Sequence, residues 1–412
     1  MRSAAKAKAA VLPTTVAITA SPADRRTRAD APWLNRRSSV PIMAPIHVTG
    51  WPMARKSGGG YPTAASMTSA RRADVTAMAA NPSAWAVGAL QHGGDLTSAR
   101  ATFPGAPEPL IDLSTGINPS PYPLPHLPPD VFARLPEPSA LDRLCQLAAQ
   151  AYGAPSAAHV VAAPGAQILL PLVAALAPAG RAVVLGPTYS EHARAAALAG
   201  HSVAETSDLA RLAEADLAIV VNPNNPDGRV VPRQTLLALA GRGGLLVVDE
   251  AFMDVGPPDT SLANKVDNGI VVLRSFGKFF GLAGLRLGFA IAAPEQAARL
   301  RAQLGPWPVT GPAVAIGTRA LADTAWIETT RRTLTVASQR LDGLLLNAGL
   351  EIVGGTSLYR LVRTNRAGVV FEHLGRAGIV VRRFTRAPTW LRFGLPGPES
   401  DWQRLSAALR EL

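Results

Sequence analysis

Short apolar runs recur through the middle of the chain, each followed by a turn and then by apolar positions at helical spacing. The runs lie at residues 160–163, 182–185, 217–221, 245–248 and 270–273. Continuous apolar runs of this length, bounded by Gly, Pro and Asn, predict strands buried on both faces. Residues 168–176, 191–198 and 234–240 read as the intervening helices. The alternation predicts an α/β fold with a mostly parallel sheet, whose ligands sit beyond the carboxyl ends of the strands. After about residue 300 the pattern changes. A long helical region at 313–346 leads to strand-like pieces at 359–362, 379–382 and 390–393 and a closing helix at 402–412. We therefore expect an N-terminal arm and large domain over 86–300 and a smaller α+β domain over 301–412.

Residues 1–85 have a different texture. They are rich in Ala, Ser, Pro and Arg, carry a GGG patch at 58–60 and keep no sustained period. The expectation is a disordered extension or a stretch upstream of a misplaced start, with Met67 and Met78 as alternative starts. An Arg-rich, acid-poor transit-like peptide is the third reading. This segment also explains the net charge of +12. It holds 12 Lys/Arg against 3 Asp/Glu, and the rest of the chain 29 against 26. The body is thus nearly balanced, which argues against a nucleic-acid partner. The single cysteine, Cys145, excludes an intrachain disulfide and a cysteine metal cage, and no metal site is expected. The longest apolar run, 168–177, is too short for a membrane span and contains Pro171. A cytoplasmic protein without a membrane partner is expected.

The strand ends carry the polar residues. Residues 160–163 run into Pro164-Gly165-Ala166-Gln167, a Gly turn at a helix start, where free N–H groups suit a phosphate. Residues 182–185 end at Gly186-Pro187-Thr188-Tyr189, and an aromatic there suits a flat ring. Residues 217–221 run into Asn222-Pro223-Asn224-Asn225-Pro226-Asp227-Gly228, which holds amides at the mouth of the sheet. Residues 245–248 end at Asp249, a carboxylate costly to bury without a cationic partner. Residues 270–273 lead to Arg274-Ser275-Phe276-Gly277-Lys278, then Arg286 eight positions on. A lone lysine among apolar and Gly residues suits a lysine that condenses with an aldehyde.

The order Asn-Pro, Asp, Ser-x-x-Lys, Arg over residues 90–412 resembles class I/II aminotransferases, enzymes that use pyridoxal 5'-phosphate and have the aspartate-aminotransferase fold. SFGKFFGLAGLRLG is the most specific element, supported by NPNNPDG and VVDEAF. The resemblance implies that Lys278 holds the cofactor and Asp249 pairs with its ring nitrogen. It also implies that Asn225 bonds the ring oxygen and Tyr189 stacks on the ring. Ser275, Arg286 and the backbone at Ala166 and Gln167 would hold the phosphate, and Arg392 the substrate carboxylate. A homodimer is implied as well. One departure stands out. Relatives often carry a tyrosine, reaching the partner's cofactor phosphate, where this chain has Leu135.

Within that family, His92-Gly93-Gly94-Asp95-Leu96, IDLSTGINP at 111–119 and WLRFGLPG at 390–397 look like threonine-phosphate decarboxylases of the cobalamin pathway. The implied reaction is loss of CO₂ from L-threonine O-3-phosphate, giving (R)-1-amino-2-propanol O-2-phosphate. His92, Asn118, Arg382 and Arg383 are then candidates for the substrate phosphate. One alternative is a histidinol-phosphate aminotransferase. Another is a transcription regulator with an aminotransferase-like effector domain, although residues 1–85 lack the amphipathic helices of a DNA-binding module.

Overall fold

The computed structural model describes residues 92–267 and 269–412. The expectations for residues 1–85, including the alternative starts and the DNA-binding alternative, lie outside the described residues. Twelve strands are found among the described residues: β1 (Ile111–Leu113), β2 (Val160–Ala163), β3 (Arg181–Leu185), β4 (Ser202–Thr206), β5 (Leu217–Val221), β6 (Leu245–Asp249), β7 (Ile270–Ser275), β8 (Gly288–Ile291), β9 (Glu351–Thr356), β10 (Tyr359–Arg363), β11 (Ile379–Arg383) and β12 (Trp390–Gly394). Seven form one sheet in the order β2-β8-β7-β6-β5-β3-β4. Only β8 runs against the rest, pairing antiparallel with β2 and β7.

Every residue of β2, β5 and β6 is buried, because layers cover both faces of this sheet. The side chains alternate between those layers. Leu217 and Ile219 of β5, with Val271 and Leu273 of β7, face a core shared with helices Ala166–Ala174, Glu191–Leu198 and Pro294–Leu304. Ala218, Val220, Ile270 and Val272 face the opposite core, which continues into the C-terminal part. Each such Val, Leu or Ile contributes about 1.5–3 kcal/mol by leaving water. A Val272→Asp change would put a carboxylate into that core without a partner.

The second sheet has the order β1-β11-β12-β10-β9. β1 enters from far upstream and pairs parallel with β11, Ile111 opposite Ile379. The long helical region divides at Asp323 into helices Gly311–Ala322 and Thr324–Asn347. The Asp323 side chain accepts from Trp326 N and caps the second helix. Among the described residues no helix is long and apolar enough to cross a membrane.

Candidate active site

The parallel strands of the large sheet turn their carboxyl ends to one edge, and five of them carry the residues expected to meet a cofactor. At the end of β2, Gly165 has φ +90°, a region that residues with a Cβ rarely adopt. A Cβ there would lie 2.4 Å from the guanidinium of Arg286. Arg286 therefore lies against the first turn of helix Ala166–Ala174, whose N–H groups lack helical acceptors. Ser275 sits opposite Gly288 in the ladder, and a Cβ on Gly288 would be 2.4 Å from Ala166 N. Free N–H groups, a guanidinium and a nearby hydroxyl suit a phosphate dianion. A cavity of about 320 Å³ opens beside this cradle, with Gln167, Glu191, Arg194 and Arg286 in its wall.

Asp249 ends β6 and is 7% exposed. Its Oδ1 accepts from Ala251 N at 2.9 Å, and its Oδ2 lies 2.8 Å from His192 Nε2. His192 is buried too. With its proton on Nε2 the imidazole donates to the carboxylate, which satisfies a charge that burial alone would penalise. A protonated ring nitrogen would add the cation that this buried carboxylate can use.

Lys278 lies in the short helix Phe276–Phe279 that follows β7. Burial pushes its amine down to about 8, and the charges of Arg392 and Arg286 add to this while Asp249 opposes it. A substantial neutral fraction at physiological pH is what an amine needs to attack an aldehyde. Tyr189 donates from its hydroxyl to Gln167 Oε1 at 3.0 Å. Its ring meets His192 and His92 edge to face, at 6.0 and 6.1 Å between centroids. Burial, reinforced by Glu191 and Asp249, raises the phenol to about 12, so it stays protonated.

The second sheet supplies the facing wall. Arg392 is buried on β12. It donates from Nη1 to Asn225 Oδ1 and from Nη2 to Ser114 O at 2.8 Å, while its Nε has no partner among the described residues. Arg382 on β11 is its cross-strand neighbour, so both side chains share one face. The guanidinium of Arg382 lies 5.5 Å from the Phe384 ring, and burial beside Arg392 lowers its pKa to about 10.

Two candidate substrate residues make contacts with other elements. Arg383 follows Arg382 along a strand and so faces the other way, over the Phe371 ring at 4.7 Å. Asn118 is buried beside the lysine-bearing turn. Its Nδ2 donates to Phe279 O at 2.9 Å and its Oδ1 accepts from Ser120 N at 2.9 Å. Its amide thus braces the lysine-bearing turn, and its backbone N donates to Lys278 O. His92 lies at the rim, 3.6 Å from Glu191 Oε1.

Several neighbours of the site take their roles from contacts between elements. His192 stands three positions after Tyr189, and the helix start turns it toward Asp249. Behind Asp249, Arg274 bridges two buried carboxylates, Glu250 at 3.0 Å and Asp254 at 2.9 Å. This ties the turn after β6 to β7, the strand that leads to Lys278. Burial raises the Glu250 carboxyl, against the pull of Arg274. An arginine four residues before the lysine and an acid beside Asp249 were visible in the sequence, but their pairing needed the strand register.

Residues 128–409 match the family model of aminotransferase class I and II. The threonine-phosphate decarboxylase of Sinorhizobium sp is 44% identical over 332 residues, which cover 78% of this chain and 98% of that protein. That of Pseudomonas aeruginosa is 42% identical over 327 residues, covering 78% and 97%. Among solved structures, the histidinol-phosphate aminotransferase of Sinorhizobium meliloti in complex with pyridoxal-5'-phosphate superposes with a TM-score of 0.65 at 22% identity. It covers 76% of this chain and 93% of its own. A Thermus thermophilus aspartate aminotransferase superposes at 0.60 with 20% identity, covering 74% and 92%, so the fold is the aspartate-aminotransferase fold. The chain belongs to the class I and II aminotransferase family.

Proposed function

We propose that this protein is a pyridoxal 5'-phosphate enzyme that decarboxylates L-threonine O-3-phosphate to (R)-1-amino-2-propanol O-2-phosphate, a step of cobalamin biosynthesis. The observation that carries this reading is the pairing of Arg382 with Arg392 across β11 and β12. A substrate with two anionic groups meets two guanidinium groups on one face. The identity to two threonine-phosphate decarboxylases along nearly their full lengths supports the same substrate.

When bound, pyridoxal 5'-phosphate supplies a protonated ring that accepts the electron pair of a broken bond at the substrate α-carbon. The chain's residues decide which bond that is and where protons go. Arg286, Ser275 and the N–H groups at Ala166 and Gln167 would anchor its phosphate. Asp249, held by His192, would keep the ring nitrogen protonated. Asn225 places its Nδ2 for the ring oxygen while its Oδ1 takes Arg392. Tyr189 would offer its ring to the flat cofactor. Lys278, its amine lowered to about 8 by burial, would hold the cofactor and is placed to return a proton to the substrate α-carbon. Arg392 takes the substrate carboxylate. We assign the substrate phosphate to Arg382 in preference to Arg383, because Arg382 shares the face of Arg392, with His92 at the rim.

The same reading carries an N-terminal arm with a large domain, a small domain over 301–412 and a cytoplasmic homodimer. Leu124, Phe132 and Leu135 are 65%, 67% and 62% exposed, apolar side chains that a second copy would cover. CO₂ release from L-threonine O-3-phosphate by the holoenzyme, without any ketoacid, tests the proposal.

A further inference from the structure

Tyr359 is buried completely, in β10, beside Arg392. The register places Leu361 opposite Arg392 and Tyr359 opposite Gly394, so Tyr359 and Arg392 are diagonal neighbours with side chains on one face. The guanidinium carbon of Arg392 lies over the Tyr359 ring, 5.1 Å from its centroid. The ring is clamped from two other sides. Its edge meets Phe252 at 5.0 Å between centroids, and a Cβ on Gly116 would approach it to 2.9 Å. Its hydroxyl donates to Asn224 O at 2.6 Å, one residue before the Asn225 that accepts from Arg392.

These contacts make one unit. The ring supports the guanidinium from below, and the hydroxyl fixes the ring to the loop that holds the guanidinium from the side. Burial otherwise disfavours the charged Arg392. An aromatic face at this distance attracts the cation in a place where water does not solvate it. We infer that Tyr359 is a positioning residue for substrate binding: its ring face holds the Arg392 guanidinium aimed at the substrate carboxylate. This rests on the assignment of Arg392 to the substrate anion.

The test is made on the holoenzyme with Tyr359→Phe, Tyr359→Leu and fluorinated phenylalanines installed at position 359. Fluorination drains the ring face while nearly keeping its shape. The first readout is calorimetric affinity for 3-phosphonopropionate, an unreactive probe with a carboxylate and a phosphonate. The second is KM against kcat with L-threonine O-3-phosphate. The visible absorption of bound cofactor serves as a check on folding.

Tyr359→Phe should bind within about threefold of wild type, and Tyr359→Leu about tenfold more weakly, with KM moving more than kcat. Affinity should fall stepwise with fluorination, which a purely space-filling role would not produce. Equal affinity across the fluorinated series, or equal affinity of the Phe and Leu variants, would overturn the inference. Because the probe does not react, these results stand apart from the decarboxylase reading. That reading fails separately if the wild type binds the probe but releases no CO₂.

Discussion

His192 Nε2 lies 2.8 Å from Asp249 Oδ2, and both side chains are buried. The carboxylate also accepts from Ala251 N, so it is held at both oxygens. A donor on each oxygen sets the direction in which the remaining lone pairs point. His192→Phe should keep the fold, because the ring fills similar space, and should leave Asp249 half-satisfied. We expect kcat to drop by about tenfold with the cofactor still bound, as for loss of one charge-assisted hydrogen bond. Measured kcat with a cofactor spectrum checks this, and an unaltered kcat would remove His192 from the machinery.

Lys278 has its amine lowered to about 8, chiefly by burial. Only the neutral amine condenses with the cofactor aldehyde. Cofactor uptake by the cofactor-free protein should therefore quicken as pH rises through about 8 and level off above it. An ordinary lysine would place the rise near pH 10.4. The linked effect on stability has a definite sign. The unfolded chain holds this proton more tightly, so Lys278 weighs against folding below pH 8. That cost is relieved as pH climbs toward about 10.4. Stopped-flow absorbance against pH measures the first effect, and a rise confined to pH 10 and above would contradict it.

Gly165 admits Arg286 because it has no Cβ. Gly165→Ala strains a backbone at φ +90° and drives a methyl group into the guanidinium. The cradle would open while both cores stay intact. The expected outcome is a folded protein that loses pyridoxal phosphate on dialysis, with affinity down by about tenfold or more. Retention equal to wild type would show that the phosphate sits elsewhere.

Arg382 and Arg383 are consecutive and face opposite ways. Arg382→Ala should raise KM for L-threonine O-3-phosphate by about tenfold or more while cofactor stays bound. Arg383→Ala should cost less, since its guanidinium lies over Phe371. The reverse ranking in steady-state kinetics would return the substrate phosphate to Arg383.

The parts of the fold that could be read from the sequence are those where one physical rule acts alone. Strands β2, β5, β6 and β7 are buried on both faces and so appear as unbroken apolar runs. Strand β4 has exposed and half-buried positions at the sheet edge, and β9 is half-buried with two glycines, so neither has such a signature. The pairing of β1 with β11 joins residues more than 260 apart, and three residues cannot announce a partner. In the site, residues at strand ends were legible because the parallel sheet gathers them. Lys278, Asp249, Asn225 and Arg286 are of this kind. His192, Arg274 and Tyr359 act through geometry between elements, which alternation along one element does not encode. Asn118 is a candidate through the resemblance of residues 111–119, and its contacts with Phe279 O and Ser120 N, which brace the lysine-bearing turn, also join separate elements.

The central claim is tested most directly by product analysis. Purified protein reconstituted with pyridoxal phosphate is given L-threonine O-3-phosphate without any ketoacid, beside a Lys278→Ala control. Both CO₂ and the amine are assayed. The account predicts equal amounts of CO₂ and (R)-1-amino-2-propanol O-2-phosphate from the wild type and neither from the control. Turnover only with histidinol phosphate and a ketoacid, with no CO₂ from threonine phosphate, would contradict it.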